Sequence, residues 1–329
     1  MANRASRIPT GSESRSASSA QMAGDTSGAG AAPSPSPLAW LKSLSQRALS
    51  AIILIPVVIA LVWFGGWVAF GGAMLALAIG LWELRRMFAN KGWRPLLALT
   101  FVAGVVMAVA AVLWHEGDAL APLVLTALLA ISGLMTLSFA WLILTRKTIE
   151  GALTDWALTI GSAIYLAWPI AFFLLLRGDD VGAKNAGFGW LLAMFFMVWA
   201  NDTFALLTGH FLGRRKLSPV ISPGKTWEGF YGGLFFTICA ALVFLLLVPH
   251  IFGIPLHIAW YHAVILGALV AIAATIGDLA ESLLKRSAGV KDSGAIVPGH
   301  GGILDRMDSL LFVVLVVFFY AALTVGIRP

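Results

Sequence analysis

Residues 258–283 read IAWYHAVILGALVAIAATIGDLAESL, an almost unbroken apolar run that ends in the carboxylates Asp278 and Glu281. As a helix this run is about 39 Å long, more than the roughly 30 Å hydrocarbon core of a bilayer, so it spans a membrane and still carries its Asp278 end near one surface. Working outward, comparable runs lie near 48–63, 68–84, 96–114, 122–145, 156–176, 188–208, 229–248 and 309–327. The expected fold is all-α, a polytopic membrane bundle of about nine transmembrane helices, because only helices satisfy their own backbone polar groups when they cross lipid singly. Phe64, Gly65, Gly66 and Trp67 alone separate the first two runs, which fits a tight hairpin or a re-entrant pair.

Composition agrees. Hydrophobic residues make up 59% of the 329 positions and charged residues only 12%, far from the quarter charged share of soluble domains. The net charge of +6 does not indicate a nucleic-acid partner, because the basic residues sit in short clusters between apolar runs, where they orient helices in a bilayer. The single Cys239 excludes a disulfide framework and a thiolate metal site. Most of the 13 tryptophans fall at span ends, as an interfacial belt requires. Residues 1–37, rich in Ser, Ala, Gly and Pro, read as a disordered cytoplasmic tail, and residues 38–329 as the membrane domain. Leu38, Trp40, Leu41 and Leu44 with Lys42 and Arg47 fit a short interfacial helix before the first span.

Loop charges set the orientation. With the N-terminus in the cytoplasm, the inner loops hold Arg85, Arg86, Lys91 and Arg94, then Arg146 and Lys147, then Arg214, Arg215, Lys216 and Lys225, then Lys285, Arg286, Lys291 and Arg306. The outer loops hold Glu116 and Asp118, then a mixed Arg177, Asp179, Asp180 and Lys184, then almost no charge. This asymmetry places both polar motifs on the cytoplasmic side. No internal repeat or matched pair of broken helices marks a transporter.

Two segments carry chemistry. From Gly277 to Ser309, the positions Asp278, Glu281, Ser282 and Lys285 share one helix face; a loop with Lys291, Asp292, Pro298, His300, Gly301 and Gly302 follows, and Asp305, Arg306 and Asp308 open the next helix. A carboxylate such as Asp278 within a span faces a polar cavity or a partner. Glycines admit a ligand close to the backbone, Lys and Arg neutralise phosphate, and paired Asp residues bind hard cations. From Asp202 to Gly229, Asp202 is a second carboxylate within a span, and Ser222, Lys225 and Thr226 offer phosphate donors. Gly224-Lys225-Thr226 is not a Walker A loop, because the first glycine of that motif would fall at Pro219. His210 reads as a loop residue without a catalytic role, His300 as a ligand contact, and neither spacing fits zinc.

The run Ser282, Leu284, Lys285, Arg286, Lys291, Asp292, Pro298, His300, Gly301, Gly302, Asp305, Arg306 and Asp308 resembles the signature of phosphatidate cytidylyltransferases. Ser222, Pro223, Lys225, Thr226, Trp227, Glu228 and Gly229, with Asp202 and Gly209, resemble a second conserved loop of that family. The resemblance covers roughly residues 195–310; Leu206 and Val297 depart from it, where the family often has an aromatic residue and a larger side chain. It implies transfer of a cytidylyl group from CTP to phosphatidic acid in the inner membrane, with a cytoplasmic active site, Mg2+ with or without a second cation, and a homodimer. On this reading Asp278 and Asp305 are metal ligands, supported by Asp308 and Asp202. Lys225, Lys285, Arg286, Lys291 and Arg306 are phosphate clamps, and Ser222, Thr226, Ser282, His300, Gly301 and Gly302 line the substrate. The rival readings are a CTP-using lipid kinase, which would release CDP, and a transporter, which the scarcity of polar residues elsewhere in the spans disfavours.

Overall fold

The structure, a computed structural model, describes residues 55–114, 120–178, 186–254, 256, 258–294 and 301–325. The expected tail, the interfacial helix, His300 with Pro298 and Val297, and the beginning of the first apolar run lie outside the described residues. In chain order the helices are α1 (Ile55–Phe64), α2 (Gly66–Ala89), α3 (Leu97–Leu113), α4 (Leu120–Thr145), α5 (Ala152–Ser162), α6 (Trp168–Arg177), α7 (Ala186–Leu212), α8 (Trp227–Phe252), α9 (Trp260–Ser287) and α10 (Leu304–Tyr320). Among the described residues, seven helical stretches are long and apolar enough to cross a membrane, with α5 and α6 counted as one. The described part of the first expected span and the whole of the third, α1 and α3, are shorter.

A π-helical turn at Ala163–Ala167 joins α5 to α6. Pro169 stands just beyond it, and its missing N–H and bulky ring displace the ordinary hydrogen-bond ladder there. Gly65 alone separates α1 from α2. The buried Arg177 closes the end of α1 by donating to the carbonyls of Val62 and, at 2.7 Å, Trp63.

The core has two main parts. Leu191, Met194, Met197 and Val198 of α7 pack with Leu245 of α8, Leu266 and Val270 of α9, and Val313 and Val317 of α10. Leu77 and Leu84 of α2 pack with Met107 and Ala108 of α3, Ile170 and Leu174 of α6, and Leu304 and Leu311 of α10. Helix α10 therefore belongs to both. Ala288 and Val290, just beyond α9, join the α2 side of the core beside Phe88 and Trp93, so the basic loop after α2 and the loop after α9 share one end of the bundle.

A small antiparallel hairpin, β1 (Lys216–Ser218) and β2 (Ser222–Thr226), interrupts the helices between α7 and α8, with Lys216 opposite Thr226 and Ser218 opposite Ser222. The sequence reading treats this stretch as a loop. Strands of three and five residues carry too short a pattern to be read from period alone.

Candidate active site

The hairpin and the ends of four helices enclose an open cleft of about 1410 Å3. Asn201 and Asp202 line it from α7, Lys216, Ser222, Lys225 and Thr226 from the hairpin, and Asp278, Glu281 and Lys285 from α9. Lys291 and Asp292 face it from the following turn, and Asp305, Arg306 and Asp308 from α10. Helix α7 runs to Leu212 rather than ending near 208, which puts Asp202 about 15 Å from its end at helical rise, against about 9 Å for a span that ends at 208.

The hairpin is anchored at both ends. Thr226 caps α8, its side chain accepting from Gly229 N at 3.1 Å, and Trp227 N donates to Arg215 O at 2.9 Å. Glu228 accepts from Arg214 N at 3.0 Å and from Arg215 N at 3.2 Å, so the turn leaving α7 is tied to the first turn of α8. These bonds fix Lys225 beside α9, where its Nζ lies 2.7 Å from Asp278 Oδ2. Ser282 donates to the other oxygen of Asp278 at 3.4 Å.

Helices α9 and α10 meet closely because Gly277 has no side chain; a Cβ there would lie 2.6 Å from Asp308 O and 3.0 Å from Ser309 Cα. Ser309 adds a hydrogen bond to Ala274 O at 3.2 Å. This contact carries Asp308 to the wall that holds Asp278, and Asp202, Asp278 and Asp308 lie within electrostatic reach of one another. Three carboxylates facing one cleft repel, and a cation or cationic side chains must offset that repulsion.

Asp305 is placed differently. Its Oδ1 accepts from Lys285 Nζ at 2.6 Å, and its Oδ2 accepts from Ser293 N at 3.1 Å, Ser293 Oγ at 2.8 Å and Gly302 N at 2.8 Å. Lys285 also pairs with Glu281, which is buried. Both carboxylate oxygens expected to hold metal are thus engaged by the protein, and the expected phosphate clamp Lys285 is engaged with them.

Of the other expected residues, Ser222, Lys225, Thr226, Lys291, Gly301 and Arg306 line the cleft, whereas Ser282, Arg286 and Gly302 lie outside its lining. Arg286 is exposed and donates forward to Val290 O at 3.4 Å. Gly302 serves Asp305 through its amide. Sequence reasoning assigned no role to Glu281, Asn201 or Glu83. Asn201 is largely buried, its Nδ2 donating to Asp202 Oδ1 at 3.4 Å and its Oδ1 accepting from Thr237 of α8 at 3.5 Å. Glu83 of α2 is fully buried and accepts from Ile303 N and Leu304 N, each at 2.9 Å. The signal for Glu83 was a lone carboxylate at the end of an apolar run, hidden by the adjacent Arg85 and Arg86.

Among the described residues, no three His, Cys, Asp or Glu side chains converge into a ready-made metal cage. The donor set that faces the cleft is nevertheless all oxygen, which suits a hard cation. Mg2+ in particular is commonly held by one or two carboxylates, with substrate phosphates and water completing its shell, so Asp278, Asp308 and Asp202 fit that group better than Asp305 does.

Fold and cleft together define a polytopic membrane protein with a charged, phosphate-suited site at one end of its helices. The chain belongs to the cytidylyltransferase family, whose model matches residues 45–324. It is 33% identical over 274 residues to the phosphatidate cytidylyltransferase of Staphylococcus haemolyticus, covering 82% of this chain and 96% of that protein. It is 35% identical over 276 residues to the phosphatidate cytidylyltransferase of Staphylococcus aureus, with the same coverage of each.

Proposed function

We infer that this protein transfers the cytidylyl group of CTP to phosphatidic acid, giving CDP-diacylglycerol and pyrophosphate. The observation that carries the reading is the Lys225–Asp278 pair, which joins the two polar segments across one cleft, in a chain whose relatives are named for this reaction. A phosphate oxygen of phosphatidic acid attacks the α-phosphorus of CTP. A new P–O–P bond forms while the bond from the α-phosphorus to the bridging oxygen of the β-phosphate breaks, and that electron pair leaves with pyrophosphate. The attacking phosphate monoester is already anionic at neutral pH, so no side chain has to remove a proton.

The work of the protein is to bring two anions into line and offset their repulsion. Lys225, Lys291 and Arg306 face the cleft with cationic groups for the phosphates. An arriving triphosphate draws Lys225 away from Asp278, and Asp278 is then free, with Asp308 and Asp202, to hold Mg2+. A Mg2+ ion held by these carboxylates would supply positive charge to offset that of the triphosphate and of the leaving pyrophosphate. Lys285 holds Asp305 and, through it, the start of α10 in register with α9.

We further place the cleft on the cytoplasmic side of the plasma membrane, supported by the Lys and Arg of the loops that share its end of the bundle. CTP then arrives from water while the acyl chains stay in the leaflet. The family resemblance supports a homodimer, which light scattering of the solubilised protein decides. The deciding assay for the reaction uses purified protein, labelled CTP, phosphatidic acid and Mg2+. CDP-lipid with pyrophosphate is expected; release of CDP would mark a lipid kinase, and no turnover would refute both.

A further inference from the structure

We propose that Glu83, in the N-terminal half of the chain, is a positioning residue for the transfer reaction, acting on the cleft from behind through Ser293 and the first turn of α10. This inference rests on the cytidylyl-transfer reading above.

Glu83 is 0% exposed, and a buried carboxylate is costly unless it is fully hydrogen-bonded. Three donors to it come from one place more than two hundred residues along the chain. Oε1 accepts from Ile303 N at 2.9 Å, and Oε2 accepts from Leu304 N at 2.9 Å and from Ser293 Oγ at 3.2 Å. Helix α10 begins at Leu304, so Glu83 satisfies amides that lack partners inside their helix and adds a negative charge at the positive end of its dipole. The approach is close enough that a Cβ on Gly302 would lie 2.5 and 2.6 Å from the two Glu83 oxygens, so a side chain there would displace Glu83 from its bonded position.

Ser293 passes the contact on. Its Oγ lies 2.8 Å from Asp305 Oδ2 as well as 3.2 Å from Glu83 Oε2. A hydroxyl has one proton to donate, so Ser293 shares it between the two carboxylates, with the shorter contact to Asp305. Asp305 in turn fixes Lys285 on α9, and the residues after Asp305 on the same turn, Arg306 and Asp308, face the cleft. Glu83 itself does not line the cleft and cannot touch substrate. Its effect is the rotation and height of the α10 start, hence where Arg306 and Asp308 meet the phosphates, while the hairpin that carries Lys225 is untouched.

The test uses the full chain in phosphatidic-acid-containing nanodiscs with CTP and Mg2+. In Glu83→Gln one oxygen becomes an NH2 that cannot accept, so either the Ile303 N contact or those of Leu304 N and Ser293 are lost. We expect kcat to fall by about 10- to 100-fold, the scale of a sub-ångström to 1 Å misplacement at a reacting centre, with KM for CTP near the wild-type value. Glu83→Asp, which keeps the charge, recovers part of the loss. Ser293→Ala, a smaller change that leaves the helix cap in place, lowers kcat in the same direction, and the double variant loses no more than Glu83→Gln alone. Wild-type kcat in Ser293→Ala or Glu83→Gln overturns the proposal. So does a loss that appears in KM for CTP alone, or one that only tracks the fraction of folded protein measured by size exclusion and thermal unfolding. A wild-type protein that makes no CDP-lipid refutes the reading of function instead and removes this inference with it.

Discussion

Lys225 Nζ and Asp278 Oδ2 lie 2.7 Å apart, with side chains 22% and 39% exposed, and they join the hairpin before α8 to the polar face of α9. A partly exposed pair of this kind contributes only about 0–1 kcal/mol. A triphosphate competing for the lysine therefore breaks it at little cost, and the pair holds the site in shape without closing it.

Replacing Lys225 by Ala should weaken use of CTP. A hydrogen bond to a charged group is worth about 1.5–3 kcal/mol, which corresponds to a fall of roughly 10- to 100-fold in kcat/KM for CTP. Lys225→Arg keeps the charge and should recover part of it. Steady-state kinetics at varied CTP check this, and an unchanged CTP dependence in Lys225→Ala would remove the lysine from the phosphate site.

Asp278→Asn and Asp308→Asn should insert into membranes and elute as wild type does, yet lose turnover by on the order of 10²-fold or more, as when one preorganised charge-stabilising group is deleted. Chelation of divalent cations should silence the wild type, and added Mg2+ should restore it. Asp308→Asn, if any activity survives, should need more Mg2+ for half-maximal rate. Equal Mg2+ titration curves for wild type and Asp308→Asn would take Asp308 out of the metal shell.

The helices were legible because apolar runs of bilayer length leave few alternatives, and the cleft's two motifs were legible because charges cluster where lipid forbids them. Pairing within the cleft was not. Asp305 and Lys285 read as metal ligand and phosphate clamp from residue type, yet the structure joins them to each other, because a residue type does not say which partner lies 2.6 Å away. Arg286 sits beside Lys285 in sequence but, one step around the helix, it faces outward. Glu83 went unassigned because two of its partners are backbone amides at the distant start of α10, and backbone donors leave no mark in composition. The hairpin was missed for a related reason: its short strands are held by caps and by Glu228 rather than by an apolar pattern.

Thr226 offers a way to separate the hairpin's shape from its charge. Its side chain accepts from Gly229 N and caps α8, and loss of such a cap costs about 1 kcal/mol. Thr226→Ala should lower the unfolding temperature of the solubilised protein slightly and raise KM for CTP through a looser Lys225, whereas Thr226→Ser should behave as wild type. Thermal unfolding read beside the kinetics distinguishes the two effects. If Thr226→Ala were silent in both, the cap would not be what holds the hairpin.

Asp155 gives the opposite test, a change far from the chemistry that should act on stability alone. It is buried at the start of α5, accepts from Arg94 N at 2.6 Å, and is paired with Arg146, so it binds the loop before α3 and the loop before α5 into one unit. Removing one partner of a buried pair strands the other charge and costs about 3–5 kcal/mol, although the 26% exposure of Arg146 argues for the lower end. Arg146→Ala, which leaves the buried carboxylate with a neutral amide donor, should therefore lower the unfolding temperature more than Asp155→Asn, which removes the charge and keeps an oxygen for Arg94 N. Neither residue lines the cleft, so kcat per folded molecule should stay at the wild-type value in both. A fall in kcat without loss of folded protein would mean that the α3–α5 side of the bundle reaches the site by a route other than Glu83.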